Sequence, residues 1–353
     1  MYLPNITDTD TGFTTHLRHA ARQHRLLFVI VFFYAMLSLG ISLAIHTTTV
    51  DQKLTSLVNS FLSMLPMMAY FLLAWRYLTQ RFTVPVEHRK GWLKADLKRT
   101  MTDPDRLASA LIGLLLMVVV LVSFAQLKRL IPIIQPFAWD ESFIALDQAI
   151  HFGVNPWRIA HAIAGYSLVI TFLTGAYNFW LFLMYFSLIF ACFSTANRVA
   201  RMQYLVAFVL TWAIGGNLFA TIFSSAGPVY VERLGLGEYF APLLTILQTH
   251  AQVQPITVVE TQDLLWSFYI APESLSGISA FPSMHVASTT LMALYAAAYN
   301  RRFGQIMTGF AVVIMLGSVL LAWHYAVDGY AGALIALACW WGAGRLVRRF
   351  QPE

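Results

Sequence analysis

Two short runs in the last quarter of the chain hold side chains capable of covalent catalysis: Phe281-Pro282-Ser283-Met284-His285 and Trp323-His324-Tyr325-Ala326-Val327-Asp328. His324 and Asp328 are four positions apart, which on a helix puts both on one face within mutual reach. A carboxylate so placed holds one ring nitrogen, fixes the tautomer and raises the nucleophilicity of the other. His285 opens one apolar run and His324 closes the next, and a tight turn over 300–304 makes those runs antiparallel neighbours. Both histidines therefore lie at one membrane depth and can face one cavity, one as nucleophile and the other as general acid. His285, His324 and Asp328 also make up a two-histidine, one-carboxylate set of a kind that binds a metal.

The elements that must position them are read from composition. Of 353 residues, 58% are apolar and 11% charged, against about 45–50% and about 25% in soluble domains. No water-facing surface can be built from this, so the expected fold is all-α, a polytopic membrane bundle forming a single domain over 1–353. Runs free of Asp, Glu, Lys and Arg fall at about 26–46, 54–75, 107–127, 166–192, 204–224, 284–300, 305–323 and 325–344, eight spans by length. The first two, with a basic loop, form an N-terminal pair over 1–106; the remaining six form a catalytic core over 107–353. The first run leads into His46-Thr47-Thr48-Thr49 rather than a small-residue cleavage site, so it reads as a retained anchor.

The net charge of +6 is a topology signal. With the N-terminus inside, cytoplasmic segments carry 18 of the 23 Lys and Arg residues, whereas the outer segments hold Lys53, Lys128, Arg129, Arg158 and Arg233 beside ten acids. This bias places both termini in the cytoplasm and the histidines on the outer side; no nucleic-acid partner is expected. No charge sits in the middle of a span, which argues against ion-coupled transport. Cys192 and Cys339 both lie in apolar runs, leaving no disulfide framework or thiolate metal site.

Two outer regions are too long to be simple connections. In 128–162, Asp140 is expected to cap a short amphipathic helix with Phe143, Leu146 and Ile150 on its apolar face and Gly153 at its end, lying on the membrane or roofing a site. The second, 229–280, is the longest polar stretch and carries Glu232, Glu238, Glu260, Asp263 and Glu273. Trp139, Trp157, Trp266 and Trp323 read as interface-belt residues. Gly227-Pro228 and Gly277 suit tight turns.

Pro282-Ser283-Met284-His285 and His324-Tyr325-Ala326-Val327-Asp328 resemble the second and third signatures of the type 2 phosphatidic acid phosphatase superfamily, over residues 223–332. The resemblance implies that His324 attacks phosphorus to give a phosphohistidine, that Asp328 supports it, that His285 protonates the leaving oxygen and that Ser283 helps hold the phosphate. It implies membrane lipid substrates, no cofactor and no metal. Three cations of the usual pattern are absent: Ala220 stands at the lysine position, Gly227 precedes Pro228, and Ser318 stands six residues before His324. The segment Phe223-Ser224-Ser225-Ala226-Gly227-Pro228-Val229-Tyr230, with Ser318, is instead similar to the branch of inositol phosphorylceramide synthase and related inositolphosphotransferases. Ser224, Ser225 and Tyr230 then become neutral donors to phosphate or lipid, or simply a polar cap on the fifth span. A phosphate monoester carries nearly two charges and benefits from several clamps, whereas a phosphodiester carries one. Few outer cations therefore favour transfer of a phospho-head group from a diester phospholipid to a lipid hydroxyl. Hydrolysis of a lipid monophosphate is the alternative, with Lys128, Arg129, Arg158 or Arg233 folding in as clamps. A lipid-binding or flipping protein on an inactive enzyme fold is the reading from another class.

Overall fold

Each long apolar run becomes a helix, and polar residues at its edge decide where it starts. The computed structural model describes residues 12–45, 52–254, 256–271 and 277–350; the segment His46–Thr49, Asp51 and Glu273 lie outside them. In chain order the helices are α1 (Phe13–Gln23), α2 (Arg25–Ala44), α3 (Gln52–Thr83), α4 (Trp92–Thr102), α5 (Pro104–Ile134), α6 (Asp140–Ile150), α7 (Pro156–Ala164), α8 (Ser167–Phe193), α9 (Arg198–Ala213), α10 (Ala220–Ile222), α11 (Ala241–Val253), α12 (Thr257–Ile270), α13 (Met284–Ala297), α14 (Arg301–Leu320) and α15 (Ala326–Phe350). A π-helical turn at Ile214–Phe219, built on Gly215 and Gly216, joins α9 to α10. Asp103 caps α5 by accepting the amides of Asp105 and Arg106, with Pro104 in the first helical position. Asn197 and Asn300 cap α9 and α14 in the same way.

The all-α expectation holds, with no strand among the described residues. Seven of these helices are long and apolar enough to cross a membrane, where the sequence suggests eight. The difference is the run 284–300, of which only 14 residues, Met284–Ala297, are helical, about 21 Å at 1.5 Å per residue. The 20-residue α14 rises from the same turn, so α13 stops about 9 Å short of its neighbour's end. Non-helical backbone fills the gap, which a lipid bilayer tolerates only where protein satisfies it. Here it does: Ala280 N–H donates to the Ser225 carbonyl, Phe281 N–H to Ser225 Oγ, and Ser283 N–H to the Asp328 carbonyl.

α13, α14 and α15 pack on one another and on α8 and α9, while α2 and α3 lean on α5. Gly332 permits a close backbone approach, since a Cβ there would collide with the Ser283 carbonyl. That contact lays the start of α13 against the first turns of α15 and brings His285 near Asp328.

α6 differs from its expected form. Asp140 does not cap its own helix; Trp139 occupies the cap position and the Asp140 carboxylate reaches across to other loops. Leu146 and Ile150 are exposed, whereas Asp140, Phe143, Ile144 and Asp147 face inward. The helix is a bracket docked through two acids, because each finds backbone donors more demanding than an apolar surface. Of the four tryptophans Trp157 is buried, while Trp266 stacks on Tyr230, Trp139 packs against Phe143 and Phe223, and Trp323 stands beside Tyr177.

Candidate active site

The turn between α14 and α15 is held by backbone bonds before any side chain acts. The Ser318 carbonyl accepts the amides of Trp323 at 3.1 Å and His324 at 3.0 Å, and the Ala322 carbonyl accepts Val229 N–H. Ala322 sits at φ 58°, a left-handed conformation that costs an alanine about 1–2 kcal/mol and that this network must enforce. The result aims His324 away from the helix axis. Asp328, in the first turn of α15, accepts Tyr325 N–H at 3.0 Å through Oδ2; the same oxygen lies 3.4 Å from His324 Nδ1. His324 Nε2 is left as the nitrogen available to a substrate.

Asp328 is fully buried, so its field on the imidazole is not screened by water. Asp328→Asn should keep the Tyr325 contact but lose the charge that stabilises a cationic ring. We expect phosphoenzyme formation to fall by about 10²–10⁴-fold in rapid-quench measurements with a labelled substrate, while the melting temperature changes little.

His285 lies in the first turn of α13, where Ser283 accepts Val286 N–H as the cap. Its ring is sandwiched between Tyr177, at 4.2 Å between centroids, and Trp180, at 3.9 Å. The His285 and His324 rings are 5.8 Å apart, near enough for both to reach one phosphoryl group. They share a cavity of about 540 Å³ with Lys128, Arg129, Tyr177, Trp180, Tyr230 and Trp323 in its wall. Burial, and secondly the Lys128 ammonium, lower the His324 pKa from 6.5 to about 3, against a raising hydrogen bond that the ring donates to the Ala280 carbonyl. The ring is therefore neutral, as a nucleophile must be.

Of the residues singled out by sequence, His285, His324, Tyr230, Lys128 and Arg129 reach the cavity wall and Asp328 stands behind His324. The others form the surrounding frame. Ser283 caps α13, the Ser318 hydroxyl donates to the Ile314 carbonyl, Ser225 receives the 280–281 backbone, and the Ser224 carbonyl accepts the amides of Ala138 and Trp139. Gly227, at φ 101°, leaves no room for a side chain: a Cβ would be 2.8 Å from the Trp323 carbonyl oxygen and 2.9 Å from Ala280 Cβ. Tyr230 donates to the Gln262 carbonyl at 3.0 Å, tying this segment to α12. Among the described residues no three His, Cys, Asp or Glu side chains converge as a metal cage.

Two residues that matter to this frame were assigned no such role from sequence. Asp140 accepts the amides of Ala226 at 2.9 Å and Gly227 at 2.8 Å together with the Tyr325 hydroxyl at 2.8 Å. Asp147 accepts Ala326 N–H at 2.8 Å and Val327 N–H at 2.9 Å, the first two amides of α15. Burial raises the Asp147 pKa, while those amides and His151 lower it. A carboxylate seven residues after another, two helical turns on, was the available signal.

The sequence profile of the PAP2 superfamily matches residues 141–342, more than half of the chain. The chain belongs to the PAP2 superfamily. No curated protein and no solved structure matches it. PAP2 proteins are phosphatases and phosphotransferases, so membership supports an enzyme acting on lipid phosphates. In this PAP2 chain the matched stretch starts one residue after Asp140 and spans both signatures, leaving α1–α5 outside it.

Proposed function

We propose that this chain is a lipid phosphotransferase that moves a phospho-head group, inositol phosphate in kind, from a phospholipid diester to a lipid hydroxyl. The observation that most supports it is the shape of the cavity. From His285 and His324 it continues between α3, α5, α8 and α9 along Leu57, Leu121, Met184 and Trp212. Leu121 lies seven residues below Lys128, about 10 Å along α5, so the site has apolar depth for a chain below the head group. The departures at Ala220, Gly227 and Ser318, and the likeness of 223–230 to the inositolphosphotransferase branch, point the same way.

In the first step His324 Nε2 attacks phosphorus, the bond to the diacylglycerol oxygen breaks, and His285 gives that oxygen its proton. In the second, His285 takes the proton of the acceptor hydroxyl, whose oxygen attacks phosphorus and releases His324. The distribution of basic loops supports an extracytoplasmic site with both termini in the cytoplasm. α12, which contributes Thr261 and Leu265 to the cavity, would help exclude water from the covalent intermediate.

One observation favours a second reading, hydrolysis of a lipid monophosphate. The outer cations are not all remote, since Lys128 and Arg129 line the cavity, and a doubly charged phosphate would use them. The two readings separate when purified protein is incubated with labelled phosphatidylinositol and with lipid phosphates, with and without ceramide or diacylglycerol. Label on the acceptor lipid supports transfer; free phosphate as the sole product overturns it and leaves a phosphatase. Binding without turnover of any donor would instead indicate an inactive lipid-binding protein. A histidine nucleophile needs no metal, so activity should persist undiminished after dialysis against EDTA; loss of activity restored by a divalent cation would contradict this.

A further inference from the structure

Lys128 carries a cation to the site from a helix outside the matched stretch. It lies on α5, in the wall of the cavity shared by His285 and His324, and its ammonium acts electrostatically on both imidazoles. Among the described residues no carboxylate lies within ion-pair distance of it. Its nearest recorded partner is the Phe124 ring, with Nζ 5.7 Å from the centroid. An ammonium on an apolar spanning helix is costly to bury and is kept where it has an anion to meet.

The register of the neighbouring helices says where that anion sits. Phe124, one turn before Lys128, packs on Gly216, where an added Cβ would be 2.7 Å from the ring. One turn beyond Gly216 is Ala220, which also lines the cavity. Both helices run towards the site end of the bundle, and Lys128 and Ala220 each reach the cavity one turn beyond that contact. Ala220 is the position where the resemblance leads one to expect a lysine. Gly227 is closed to any side chain by the Trp323 carbonyl and Ala280, and Ser318 is buried within the bundle with its hydroxyl bonded to Ile314. The cationic positions of the usual pattern are thus empty of charge, and the neighbouring helix α5 supplies one.

We propose that Lys128 binds the non-bridging oxygens of the phosphoryl group undergoing transfer at His324. This rests on the phosphoryl-transfer reading of the site. The ammonium is a compact point charge with three donors, placed where negative charge gathers on those oxygens as the leaving group departs. It should matter most for donors whose phosphate is doubly charged.

The test compares Lys128→Met, Lys128→Arg and His324→Ala in purified, detergent-solubilised protein, with phosphatidate and phosphatidylinositol as donors and inorganic phosphate as competitor. Methionine is apolar and unbranched, so the span should insert normally. In Lys128→Met, kcat/KM should fall about 100-fold, more for phosphatidate than for phosphatidylinositol, and the inhibition constant for inorganic phosphate should rise about tenfold. Lys128→Arg, which keeps the charge, should recover most of both. Lys128→Met activity within about threefold of wild type on both donors would overturn the assignment. So would loss of activity in both Lys128 variants with an unchanged inhibition constant for phosphate. Retained activity in His324→Ala would overturn the underlying reading of the site, whereas an inactive His324→Ala beside a normal Lys128→Met removes Lys128 alone.

Discussion

Replacing His324 with alanine is expected to abolish turnover, to about 10⁴-fold or more below wild type, and to remove the acid-labile phosphoenzyme altogether. The size of the effect follows from geometry. His324 Nδ1 faces Asp328 Oδ2 at 3.4 Å, which leaves Nε2 as the nitrogen that can attack. His285, 5.8 Å away between centroids, has no carboxylate of its own on the following turn and cannot take over as nucleophile. Alanine costs the fold little, because the turn is held by the backbone of Ser318, Trp323 and Ala322 rather than by the ring. Trapping with a labelled donor distinguishes this from loss of binding: labelled enzyme in wild type and none in His324→Ala supports a covalent role, and equal labelling removes His324 from the mechanism. The pH profile gives a second check. Burial and Lys128 hold the His324 pKa at about 3, so its protonation is complete only below that value, and deprotonation is already finished at pH 5. The acid limb of kcat/KM between pH 5 and 8 should therefore not report His324.

The parts of this molecule legible in the sequence are those governed by short-range pattern. Apolar runs announce the helices, and Pro-Ser-x-His with His-x-x-x-Asp places a nucleophile and its carboxylate on adjacent turns. The caps at Asp103 and Asn300 are equally local. What the sequence hides depends on partners far along the chain. Lys128 reads as one of four outer cations with nothing to choose among them, yet α5 continues to Ile134 and carries Lys128 into the cavity wall. Ser318 stands where the resemblance puts a phosphate-site residue, but its hydroxyl donates to the Ile314 carbonyl within its own helix. The span 284–300 looks full length from its composition; the backbone bonds from 280–283 to Ser225 and Asp328 replace part of it. Asp140 reads as the cap of its own helix because nothing in its neighbourhood shows the distant amides it meets, and the partners of Asp147 are hidden for the same reason.

Asp140→Ala should be the most destabilising substitution near the site. The carboxylate is 1% exposed and accepts three donors at once, the amides of Ala226 and Gly227 and the hydroxyl of Tyr325. Alanine leaves all three in a buried setting without their acceptor. At about 1–3 kcal/mol for each unsatisfied group, partly relieved by water entering the space, the expected loss is about 3–5 kcal/mol, read as a lowered midpoint in thermal unfolding in detergent. The same bonds couple stability to activity: Ala226 and Gly227 border the cavity segment that ends in Tyr230, and Tyr325 follows His324 directly. Tyr325→Phe removes one of the three bonds and should cost about 1 kcal/mol. In the double variant, Asp140→Ala with Tyr325→Phe, the two losses should add to less than their sum, because the bond between them is already gone. Strict additivity would mean that Asp140 acts on the site only through the 226–227 backbone.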